Sequence, residues 1–214
     1  VVGMILGFLV YCFDRVFSLF FLPPVTALVD MIVLICLTGA FHIDGLGDTA
    51  DGIFSHRPKE KVMEIMKDSR IGMMGLVAVL CVLAVKTAGI FSMKQTASDL
   101  DLFIYFIVIP AYARGSMIFG IRFLKYGRQG TGTGLDLFER PLKAIDFSFL
   151  AIPVFLCFLL GIKALVLNAV FIFGVAVILY FYKKKLNCIT GDMLGAMTEI
   201  LEMLLFLTAG AAII

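Results

Sequence analysis

Long apolar runs separated by short polar linkers set the pattern of this chain. Seven runs approach the roughly 20 residues that a helix needs to cross a bilayer: 1–22, 25–41, 71–91, 102–123, 147–162, 164–182 and 189–214. Asp14 and Arg15 interrupt the first, Pro23-Pro24 ends it, and Pro110 is placed to kink the fourth. The last carries polar residues in its first half and ends very apolar. The pattern predicts an all-α fold, a polytopic integral membrane helix bundle of about seven transmembrane helices, built as one catalytic domain over 1–214. Residues 57–68 read as a short amphipathic helix, with Val62, Ile65 and Met66 on its apolar face, suited to the interface plane. The chain opens in apolar sequence without a Met, so a short leading segment is expected to precede it.

Composition agrees. The 214 residues are 61% hydrophobic and 16% charged, with a mean hydropathy of +1.05, against about 25% charged in an ordinary soluble domain. A net charge of +2, with basic residues scattered among apolar blocks, excludes a nucleic-acid-binding module. The five cysteines share no metal-ligand spacing and read as buried, reduced thiols. The linkers after runs two, four and six hold thirteen Lys and Arg, and the opposite linkers three. By the positive-inside rule the basic linkers are cytoplasmic.

Ionisable groups at membrane depth are costly and mark function. Asp44, Asp48 and Asp51 recur at i, i+4 and i+7, within about 60° of one helix face, among Gly45, Gly47 and Gly52. Three acids on one stripe repel each other, and a hard divalent cation, Mg²⁺ or Mn²⁺, is the simplest stabiliser. A solvated acidic face is the plain alternative. Asp192, Glu199 and Glu202 form a second stripe, deeper in the last run than a helix N-terminus explains. Both stripes fall at the cytoplasmic leaflet, where they can meet and share metal. His42 stands about 180° from Asp51 on a continuous helix. It is then a packed residue or a support for a ligand; a break at Gly45 or Gly47 would make it a ligand.

Anion-binding groups lie nearby. Lys67 and Arg70 flank Asp68 and Ser69, either of which can cap the helix of the third run. Arg114, inside the fourth run, calls for a polar cavity or an acid partner. Lys86, inside the third, is expected to snorkel outward. The linker 126–134, with four glycines, can form a backbone nest for an anion, with Arg128 and Gly130 in reach of substrate. An acidic metal site beside cations inside a membrane bundle points to chemistry on a phosphoanhydride.

At these residues the chain resembles the cobalamin synthase family, the membrane-bound cobalamin-5′-phosphate synthases. Residues 39–52, with His42-Ile43-Asp44-Gly45-Leu46 and Asp48-Thr49-Ala50-Asp51-Gly52, look like its first signature. Lys67-Asp68-Ser69-Arg70-Ile71-Gly72 followed by Gly75 resembles the second, and Thr190-Gly191-Asp192 with Gly195-Ala196, Glu199 and Glu202 the last. The resemblance implies a Mg²⁺-dependent transferase. It would join adenosylcobinamide-GDP to α-ribazole or its 5′-phosphate and release GMP, in the cytoplasmic membrane of a prokaryote, as a monomer or homo-oligomer. Carried over, Asp44, Asp48, Asp51 and Asp192 are metal ligands. Glu199 and Glu202 serve metal or base, and Lys67, Arg70 and Arg114 bind pyrophosphate. Rivals are a CDP-alcohol phosphotransferase, whose Ala-Arg and later spaced aspartates are not found here, and a divalent-cation transporter, which fits poorly with acids at one leaflet and no repeated halves.

Overall fold

The computed structural model describes residues 1–128 and 134–211. Ten α-helices follow in order: α1 Val2–Phe17, α2 Pro23–Leu37, α3 Phe41–Phe54, α4 Lys59–Ile65, α5 Met73–Thr96, α6 Asp99–Phe123, α7 Asp136–Glu139, α8 Ala151–Phe158, α9 Ile162–Lys185 and α10 Gly191–Ala209. A 3₁₀ stretch, Ala144–Leu150, leads into α8. The fold is all-helical, and each of the seven apolar runs contains a helix. Three of these, α5, α6 and α9, are long and apolar enough to cross a membrane alone. The pair α2–α3 passes the same test jointly but bends by 89°. Among the described residues, then, up to four spans satisfy length and hydropathy together.

The bend has a local cause. Gly39 and Ala40 adopt positive φ of 59° and 58°, a left-handed pair that ends α2 and swings the chain into α3. Glycine takes this conformation freely, whereas an L side chain at Ala40 is strained by about 1–2 kcal/mol. The break falls before His42, and α3 continues through Gly45 and Gly47. α6 likewise runs unbroken through Pro110.

Helices α6 and α10 form the buried centre. α1 lies on α6 through Gly3 and Gly7, where an added Cβ would strike the backbone of Pro110 and Phe106. α10 packs against α3, α5, α6 and α9. Ser98 caps α6 by accepting from the Asp101 amide at 3.1 Å, and Thr190 caps α10 by accepting from the Met193 amide at 3.3 Å. At one end of the bundle Lys94 is buried between Asp14 and Asp30, tying α5 to α1 and α2. Three of the five cysteines, Cys12, Cys36 and Cys81, lie on the outer surface rather than inside; Cys157 and Cys188 are buried.

Candidate active site

Where α3 crosses α10, the first acidic stripe meets only the leading member of the second, Asp192. Gly45 lies against the backbone of Asp192, where a Cβ would stand 2.7 Å from the carbonyl oxygen. One turn along, Gly195 lies against the backbone of His42, where a Cβ would stand 3.2 Å from its Cα. Glycine on each helix allows this approach, and the approach places Asp44 and Asp48 beside Asp192. Gly45→Ala is therefore expected to drive the two helices apart and cut turnover by about a hundredfold, with helix content by circular dichroism unchanged.

Asp44 is exposed and Asp48 half-buried, and neither carboxylate has a hydrogen-bond partner among the described residues. Asp192 accepts from the Arg128 guanidinium at 2.5 Å. Arg128 also donates to the Met66 carbonyl at 3.0 Å. It is steered there by a backbone bridge, in which the Gly127 amide donates to Ile189 at 2.9 Å and the Ile189 amide to Lys125 at 3.0 Å. Gly130 lies outside the described residues.

Asp51 is differently engaged. Its two oxygens accept from the amides of Gly72 at 2.6 Å and Gly75 at 2.8 Å, so α3 supplies the N-terminal cap of α5. A Cβ on either glycine would strike the Asp51 carboxylate. This corrects the expectation that Asp68 or Ser69 caps that helix: α5 begins at Met73, and the two amides capped there, those of Gly72 and Gly75, are held by Asp51. Asp68 instead accepts from the Arg70 amide at 3.1 Å and its guanidinium at 2.6 Å. These hydrogen bonds hold its carboxyl at about pKa 2. Such an exposed pair is weak, so Arg70 can exchange it for a substrate anion. Lys67 and Ser69 are exposed beside it.

Glu199 and Glu202 stand apart from the aspartates. Glu199 is seven residues beyond Asp192, about 10 Å along the helix. Lys86, fully buried, donates to Glu199 at 2.7 Å and Glu202 at 2.5 Å, and Arg114 pairs with Glu202. Two acids and two bases thus close a buried network. Lys86 does not reach outward as expected, because two carboxylates within the bundle offer it better partners than a distant interface. Arg114 has the acid partner its depth demanded. Its Nε and Nη2, like His42 Nδ1, are buried without partners among the described residues, and both side chains line one hollow beside α6.

No three His, Cys, Asp or Glu side chains converge as a preformed cage among the described residues. The donors nevertheless fit Mg²⁺ in kind. Asp44 and Asp48 are unengaged hard-oxygen ligands facing Asp192, and Mg²⁺ is commonly held by one or two carboxylates together with water and substrate phosphates.

Residues 1–210 match the family model described as cobalamin-5-phosphate synthase. A protein of Acetivibrio thermocellus named adenosylcobinamide-GDP ribazoletransferase is 34% identical over 94% of this chain and 79% of its own. Proteins of the same name from Caldanaerobacter subterraneus and Clostridioides difficile are 33% and 32% identical, over 97% and 94% of this chain and 83% and 81% of theirs. No solved structure matches. By this match over nearly its whole length, the chain belongs to the cobalamin-5-phosphate synthase family.

Proposed function

We propose that the chain is a membrane-embedded adenosylcobinamide-GDP ribazoletransferase that closes the nucleotide loop of cobalamin. The observation that carries this reading is the glycine-mediated crossing of α3 and α10, which sets unengaged carboxylates beside cations at one end of a membrane bundle. A ribazole hydroxyl forms a bond to the phosphorus attached to cobinamide, the phosphoanhydride P–O bond breaks, and GMP leaves. Asp44, Asp48 and Asp192 would hold Mg²⁺, which when bound offsets charge developing on the phosphate oxygens. Asp44 or Asp48, free of hydrogen bonds, takes the hydroxyl proton. Lys67 and Arg70 bind the pyrophosphate and hold its phosphorus in line with the incoming hydroxyl. Arg128 orients Asp192, and Asp51 anchors the segment carrying Lys67 and Arg70 to α3. The free edge of Arg114, with His42, offers donors for a further substrate oxygen. The basic linkers support a site at the cytoplasmic leaflet of a prokaryotic inner membrane.

The test is direct. Protein in nanodiscs receives cobinamide-GDP, α-ribazole and Mg²⁺, and GMP is measured together with the joined corrinoid. Stoichiometric formation of both supports the reading. Divalent-cation flux into liposomes without GMP release would replace it with transport.

A further inference from the structure

α3 carries its acids on one face, and its opposite face is walled by something else. Ile53 stands about 180° from Asp44, with Leu46 and Ala50 on the same side. Across from them α9 presents Ile178, Tyr182 and Lys185 at i, i+4 and i+7. α3 and α9 each pack on α10 and scarcely touch each other. The crevice left between them holds two adjoining hollows that share Ile53.

The first hollow, about 330 Å³, is polar and basic. His56, Arg57, Lys59 and Lys185 rim it over a floor of Ile53 and Val62, and no carboxylate lines it. Arg57, Lys59 and Lys185 have no acidic partner among the described residues, and Lys183 and Lys184 share the last turn of α9 with Lys185. The second hollow, about 440 Å³, is apolar, walled by Leu46, Ala50, Val82, Ile178, Tyr182 and Ala196. Tyr182 is fixed there by donating to the Met193 carbonyl at 3.1 Å. The Thr49 hydroxyl is buried behind this wall, without a partner among the described residues. Phe54 and Phe181 are exposed at the rim.

We propose that this crevice is a binding site for an anionic phospholipid. The headgroup phosphate sits among Arg57, Lys59 and Lys185, and an acyl chain fills the apolar hollow. A basic pocket between membrane helices attracts anionic lipid by about 1 kcal/mol per cation. The apolar hollow excludes a free nucleotide or phosphate as the main occupant, because neither would cover it. A lipid seated here supports the back of the helix whose front carries Asp44 and Asp48, so the lipid is a positioning ligand for the acidic face.

The experiment reads lipid retention and does not depend on the proposed reaction. Protein is exchanged into nanodiscs of phosphatidylcholine alone or mixed equally with phosphatidylglycerol, re-extracted in detergent, and its bound lipid identified by native mass spectrometry. The parent is expected to retain phosphatidylglycerol over phosphatidylcholine. The triple variant Arg57→Gln/Lys59→Gln/Lys185→Gln, all at exposed positions, is expected to lose that preference by about a hundredfold. Ala50→Phe, filling the apolar hollow, is expected to lose both lipids. Equal retention of the two lipids by the parent, or an unchanged preference in the triple variant, overturns the proposal. Release of the bound lipid by inorganic phosphate or GMP at concentrations that leave the parent assembled would assign the basic rim to a soluble anion instead.

Discussion

Lys86→Met is expected to destabilise the folded bundle by about 3–5 kcal/mol, the cost of removing one partner from a buried ion pair. The parent network is balanced, with Lys86 and Arg114 facing Glu199 and Glu202 and all but Arg114 essentially inaccessible. Methionine matches the length of the lysine stem but leaves two buried carboxylates with one cation. Glu202 keeps Arg114, whereas Glu199 loses its only hydrogen-bond donor among the described residues. The double variant Lys86→Met/Glu199→Gln removes one charge of each sign and is expected to regain most of the loss. The double-mutant cycle isolates the coupling from the packing of the side chains. Thermal unfolding in detergent, followed by the helical circular dichroism band, reads both. A Lys86→Met protein as stable as its parent would show that the network does not carry the core.

Much of this arrangement was legible along the chain, and the parts that were not share a cause. Periodicity is local. The i, i+4, i+7 spacing of Asp44, Asp48 and Asp51 placed them on one face of α3, and the structure keeps them there. The depth of Arg114 called for an acid, and Glu202 provides it. Partnerships across the bundle are not local. Asp51 finds its amides 21 and 24 residues away, and Lys86 finds Glu199 at a separation of 113. A lone charge in an apolar run gives a direction only by default, so Lys86 reads as snorkelling until its partners are seen. Asp30 sits in an apolar run with no pattern around it and shows its role only beside Lys94. The 89° turn at Gly39-Ala40 was hidden for another reason: it needs no proline, only two left-handed residues, one of them alanine.

Those long-range partnerships separate aspartates that spacing alone makes equivalent. Asp48→Asn is expected to lower turnover by on the order of a thousandfold, the scale of several kcal/mol of lost charge stabilisation, while the protein remains helical and assembled. Asp48 accepts no hydrogen bond among the described residues, so the amide leaves nothing unpaired, and it relieves repulsion with Asp44 and Asp192. Stability should hold or rise slightly. Asp51→Asn behaves differently. Its amide keeps one acceptor oxygen where two accepted from Gly72 and Gly75, and it removes a negative charge from the N-terminus of α5. The cost is about 1–3 kcal/mol, and it is local to the segment between α4 and α5. Trypsin should then cut faster after Lys67 and Arg70, both exposed in that segment, a change that Asp48→Asn does not produce. Binding of Mn²⁺, followed by the loss of its free-ion paramagnetic resonance signal, supplies the second axis. Asp48→Asn is expected to weaken it, and Asp51→Asn to leave it near the parent value. If instead both variants weaken Mn²⁺ alike and neither changes the tryptic rate, Asp51 is a ligand first and its hold on α5 is incidental. A fast-cleaved, Mn²⁺-competent Asp51→Asn protein assigns that carboxylate to holding the segment that carries Lys67 and Arg70 against the acidic face of α3.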